Sequence, residues 1–132
     1  MSEENVEIVR RLFEGWSVGD FTVGIEAIDP HVLFLVHPPF PEAGIRVGPE
    51  GISEYLLGFL AQWERFTVEA TELRAVGDTV LARVIQRAKG RASGIEGEAS
   101  YYMLFTLRGR KLVRMDSIVD EAEALEAAGL SE

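Results

Sequence analysis

Residues 95–119, IEGEASYYMLFTLRGRKLVRMDSIV, decide the fold. Two alternating runs flank Gly109-Arg110, a turn signal of the kind that joins antiparallel strands. Within 95–107, Tyr101, Met103, Phe105 and Leu107 fall on one side of the pleat, and Glu98, Ser100 and Tyr102 fall on the other. Within 111–119, Val113, Met115, Ser117 and Val119 oppose Arg114 and Asp116. Upstream, 79–89 sets Val80, Ala82, Val84 and Gln86 against Arg83, Arg87 and Lys89. Segment 66–76 completes four strands, with turns at Gly77-Asp78 and Gly90–Gly94. The apolar sets must share one side, because a one-residue slip would send all of them to solvent. The opposite face is predicted to be charged.

Before residue 66 the period changes. Val6, Val9, Leu12, Phe13 and Trp16 recur at spacings of three and four over 3–19, with Glu3, Glu4 and Glu7 near the positive end of the helix dipole. Gly19-Asp20 closes this helix, and Asp20 is placed to cap a shorter one over 21–28, ended by Asp29-Pro30. VLFLV, 32–36, reads as a strand, and Pro38, Pro39 and Pro41 make 38–47 a stiff loop. Gly48-Pro49-Glu50 starts a third helix that runs to about Trp63, with Ile52, Tyr55, Leu56, Phe59, Leu60 and Trp63 on one face. Asp120 with Glu123 forms a capping-box pattern for a last helix, which Gly129 ends. Helices first and strands last predict an α+β fold in which an antiparallel sheet buries one face under helices.

Composition narrows the function. A chain of 132 residues has the length of one domain, 1–132. Its 22 acidic and 13 basic residues give a net charge of -9, which repels phosphate backbones and anionic lipid, so neither nucleic acid nor membrane is an expected partner. Arg83, Arg87, Lys89 and Arg91 cluster, but Glu96 and Glu98 stand close by, and charge pairing is expected there. There is no cysteine, hence no disulfide or thiolate metal site. No apolar run approaches the ~20 residues of a membrane span, and MSEENVEIVRR lacks the order of a signal peptide, so a cytoplasmic location is expected. His31 and His37 are the two histidines, and six strand residues hold them about 20 Å apart, so no metal site is predicted. No GxGxxG or GKS/T run is present, and no cofactor is predicted.

The order helix, helix, strand, helix, four strands resembles the nuclear transport factor 2-like fold, and more closely its SnoaL-like (polyketide cyclase-like) branch. The resemblance is carried by EENVEIVRRLFEGWSVGDF (3–21), IDPHVLF (28–34), FPEAGIRVGPEGISEYL (40–56) and LFTLRGRKLVRMDSIVDEAEALEAAGL (104–130). It implies a cone-shaped domain with an internal pocket between helices and a concave sheet, and a homodimer formed through sheet or edge contacts. It further implies, for the cyclases, a His on the penultimate strand and an Asp on the last. Those positions here hold Met103 and Ser117, neither of which transfers a proton near neutral pH. Asp116 is one residue off and points to the opposite face unless a β-bulge turns it. The limonene-epoxide-hydrolase type would need an Arg-x-Asp on the strand that here reads RVIQRAK, and no acid stands in it. The ketosteroid-isomerase type would place a base near His37-Pro38, but its tyrosine partner falls at Leu12 or Phe13.

The candidate site follows. Trp16, Tyr55, Phe59, Gln86, Tyr101, Met103, Met115 and Ser117 are the expected lining of a ligand pocket, and His37 at its mouth is the candidate general base. A buried phenol, amide or hydroxyl needs a partner, which gives Tyr101, Gln86 and Ser117 the task of meeting one another, water or a ligand. Core packing alone would also explain the aromatic and Met positions, and a strand-end histidine stiffened by prolines would explain His37. Three functions remain open. One is a binding domain for a small apolar or aromatic ligand, without an intact cyclase pair. The second is a cofactor-free isomerase or cyclase acting on a carbonyl compound with His37 as base. The third is a dimeric interaction module whose cavity is vestigial. The missing His and Asp favour the first.

Overall fold

The computed structural model describes residues 2–40 and 43–130, the side chains of Ser2 and Phe59 excepted. Helix α1 (Ser2–Trp16) leads into β1 (Ile28–Val36), β2 (Gly44–Val47), α2 (Gly48–Leu60), β3 (Trp63–Val76), β4 (Thr79–Gly90), β5 (Glu96–Arg108), β6 (Lys111–Ile118) and α3 (Glu121–Ala127). The strands form one curved open sheet in the order β2-β1-β6-β5-β4-β3. The architecture is α+β, as the patterning predicts. Helices α1 and α2 cover one face, and their apolar stripes meet the inward residues of the strands. Phe105, fully buried at the centre, meets Phe13 edge-on at a centroid distance of 5.6 Å and Trp16 in a tilted contact at 6.2 Å. Burying such a ring contributes about 3 kcal/mol of apolar transfer.

Four local expectations are corrected. The sheet is mixed: β1 runs antiparallel to β2 but parallel to β6, with Leu35 opposite Asp116 and Val36 opposite Ser117. The segment expected as a stiff loop contains β2, whose backbone completes the edge of β1; Pro41 of that segment lies outside the described residues. The predicted helix over 21–28 is reduced to a 3-10 turn, Ile25–Ala27. Gly24 explains this, because it takes φ +80° and brings its backbone against Leu12, where an added Cβ would sit 2.9 Å from Cδ2. The third helix stops at Leu60, because Trp63 and Arg65 already pair with Gly90 and Lys89 at the start of β3.

The outer face is also less uniformly charged than its pattern suggests. Leu81, Leu104 and Ile118 form a second apolar cluster, which α3 covers with Ala124 and Ala128. Asp120 caps α3 by accepting from Glu123 N at 3.0 Å. Elsewhere on this face Arg87 bridges Glu69 (2.9 Å) and Glu98 (3.1 Å), the charge pairing expected of the basic cluster.

Candidate functional site

Between the helices and the inner sheet face lies a cavity of about 110 Å³. That is of the order of the ~150 Å³ known to accept a benzene ring. Trp16 stacks on Phe21 (6.3 Å) and Phe21 on Phe66 (5.9 Å), which makes one aromatic wall. Phe34 meets Tyr55 edge-on at 5.5 Å, and Phe40 meets Tyr101 at 5.1 Å. The Arg46 guanidinium stands over the Tyr55 ring, 4.4 Å from its centroid.

Of the pocket candidates, Trp16, Tyr55, Gln86, Tyr101, Met103, Met115 and Ser117 all line the cavity. The side chain of Phe59, the remaining one, lies outside those described. Sequence reasoning did not single out Phe21, Phe34, Val36, Phe40 and Phe66 for the lining. Phe34 and Val36 were within reach, since they alternate along β1; Phe40 sits among prolines, where no period exists. No described lining residue carries a formal charge.

The polar groups of the cavity are few. Tyr101 OH donates to Gln86 Oε1 at 3.0 Å. Burial, and secondarily Tyr55, push the Tyr101 phenol well above its ordinary range, so it stays protonated. Ser117 is buried, and its hydroxyl has no hydrogen-bond partner among the described residues. The hydroxyl faces the cavity, where a ligand or water oxygen would pair with it.

His37 and Asp116 come together, but not in this cavity. His37 Nε2 donates to Asp116 Oδ2 at 2.8 Å, and Arg114 grips the same carboxylate through Nε (2.9 Å) and Nη2 (3.0 Å). None of the three lines the cavity. The expected parity therefore holds at Asp116, while the placing of His37 at the pocket mouth is replaced by this contact on the outer face. A bulge does interrupt β6, but between the pairs Thr106–Arg114 and Leu107–Leu112. It turns Leu112 into the core in place of Val113 and leaves Met115–Ser117 in register, so Asp116 stays outside. The carboxylate's partners are thus on its own strand and at the end of β1. Only the β1–β6 parallel contact, invisible in local pattern, could have revealed the His37–Asp116 pair. Among the described residues no group of three His, Cys, Asp or Glu is placed to hold a metal ion, and no helix is long and apolar enough to cross a membrane.

An open curved sheet with helices over an aromatic cavity is the nuclear transport factor 2-like architecture. The chain belongs to the SnoaL-like domain family, whose sequence profile matches residues 9–115. Bal32a, from a soil-derived mobile gene cassette, superposes with a TM-score of 0.78 at 17% identity, over 96% of each chain. TerC, co-crystallized with polyporic acid, superposes at 0.76 and 19% identity, over 96% of this chain and 98% of that one. A protein from Jannaschia sp. CCS1, named after the SnoaL-like polyketide cyclases, gives 0.76 and 21%, over 99% and 95%. At these identities the likeness establishes the fold. No curated protein matches the chain.

Proposed function

We propose that this chain binds a small apolar or aromatic molecule in the inner cavity and lacks the proton-transfer pair of the cyclases. The observation that carries the reading is the lining itself: aromatic and aliphatic walls, no charge, and a few hydrogen-bonding groups. The places that the cyclase resemblance assigns to His and Asp are taken by Met103 and Ser117, paired opposite one another on β5 and β6. A relative crystallized with polyporic acid is in keeping with a ligand-holding fold. The isomerase reading is disfavoured because His37 turns its ring to Asp116 on the outer face. Titrating the protein with single-ring compounds while following tryptophan fluorescence tests the proposal, since Trp16 is part of the wall. Saturable quenching that Trp16→Phe abolishes supports it. A flat response across compounds that fill the cavity sinks it.

A homodimer is a second component of the reading. Leu33, Ile45 and Val47 are exposed on the outer face, with Leu33 opposite Val47 and Leu35 opposite Ile45. Such a contiguous apolar patch on a sheet is the ordinary mark of a protein contact. Sedimentation at micromolar concentration should give a dimer that Ile45→Glu dissociates; a monomeric wild type removes this component.

A further inference from the structure

Three polar groups of the cavity form one band on the sheet, and its donor balance defines the ligand more narrowly. Gln86, Tyr101 and Ser117 lie on the adjacent strands β4, β5 and β6. Val84 pairs with Tyr101 and Met103 with Ser117, so Tyr101 is the diagonal neighbour of both Gln86 and Ser117. Tyr101 spends its only proton on Gln86 Oε1. Within this band two donors then remain without a partner among the described residues, Ser117 Oγ–H and Gln86 Nε2, and the Trp16 indole N–H on the aromatic wall adds a third donor and no acceptor. Both stand on the cavity lining, and no described lining residue is charged. A carboxylate, phosphate or ammonium group placed at this band would be desolvated with no counter-charge on the lining to meet it, since the Arg46 guanidinium lies over the Tyr55 ring and is not itself part of the lining, whereas a neutral carbonyl oxygen can accept from both donors.

We infer, building on the ligand-binding reading above, that the cavity takes an uncharged single-ring ketone or quinone whose carbonyl oxygen accepts hydrogen bonds from Ser117 Oγ and Gln86 Nε2. The ring lies between the Phe34–Tyr55 and Phe40–Tyr101 edges, and the volume limits the ligand to about a single ring. Chemical class is set by the polar band and size by the aromatic walls.

Three probes of one shape separate the alternatives: acetophenone, ethylbenzene and benzoate, each titrated by protein-observed NMR against the wild type and Ser117→Ala. Acetophenone should bind about tenfold more tightly than ethylbenzene, the effect of about 1.4 kcal/mol. Benzoate should not bind measurably at the same concentrations. Ser117→Ala, whose fold the same spectrum reports directly, should weaken acetophenone and leave ethylbenzene unchanged. Equal affinity for ketone and hydrocarbon overturns the inference while keeping the binding reading. Preferred binding of benzoate overturns it too. Failure of all three to bind overturns the binding reading itself.

Discussion

Removing the Arg114 side chain should destabilise the fold far more than its exposure suggests. The guanidinium is 45% exposed, which for an ordinary surface ion pair would mean a contribution of about 0–1 kcal/mol. Its partner is different. The Asp116 side chain is only 4% exposed and lies between Leu35 of β1 and Leu104 of β5. Arg114→Leu leaves that carboxylate with one hydrogen bond, from His37, in place of three. Stranding a buried charge costs about 3–5 kcal/mol, and water reaching the space left by the arginine lowers this to about 2–3 kcal/mol. At roughly 3–4 °C per kcal/mol for a domain of this size, Tm should fall by about 6–12 °C. The double variant Arg114→Leu/Asp116→Leu removes the charge together with its partner and should recover to within about 1 kcal/mol of wild type. Urea denaturation of the two variants and the wild type measures both differences. A single variant within 0.5 kcal/mol of wild type, to take a rough surface-substitution limit, or a double variant worse than the single, refutes the reasoning.

Other predictions follow from the core and the cavity. Phe105→Ala empties the fully buried centre beneath α1 and should cost about 3–5 kcal/mol, read from the same urea curves. Tyr101 should not ionise in the ordinary phenol range, so an ultraviolet pH titration should show one tyrosine titrating late while the fold survives. Because its folded pKa is raised, the unfolded chain loses that proton first: Tyr101 costs no stability below about pH 10 and erodes it as pH rises beyond that value. Tyr101→Phe should flatten this alkaline loss. His37→Ala removes one of three bonds to Asp116 from a ring that is 29% exposed, and should cost about 1 kcal/mol without changing ligand affinity.

The sequence carried local information well. Period-two alternation in β4, β5 and β6 sorts Gln86, Tyr101, Met103, Met115 and Ser117 onto one face, because neighbouring side chains in a strand must oppose each other. The stripe of α1 is legible for the same local reason. What escaped was set by distance or by a single backbone angle. The parallel contact of β1 with β6 joins residues some 80 apart, and it alone brings His37 to Asp116. The four residues of β2 have no strand pattern of their own and exist as a strand because β1 offers an edge. Gly24 ends a helix that the surrounding residues would otherwise allow, through a positive φ that no neighbour announces. Phe40 enters the cavity from a proline-rich segment where periodicity has no meaning.

The cavity's occupation is tested most directly by labelling the methionine methyl groups and adding acetophenone. Met103 and Met115 both stand on the cavity wall, on paired strands, so an entering ring must change the field at both. The two methyl signals are predicted to move together and saturate with a common dissociation constant. Signals that stay in place up to the solubility of the ketone would contradict a ligand-binding cavity.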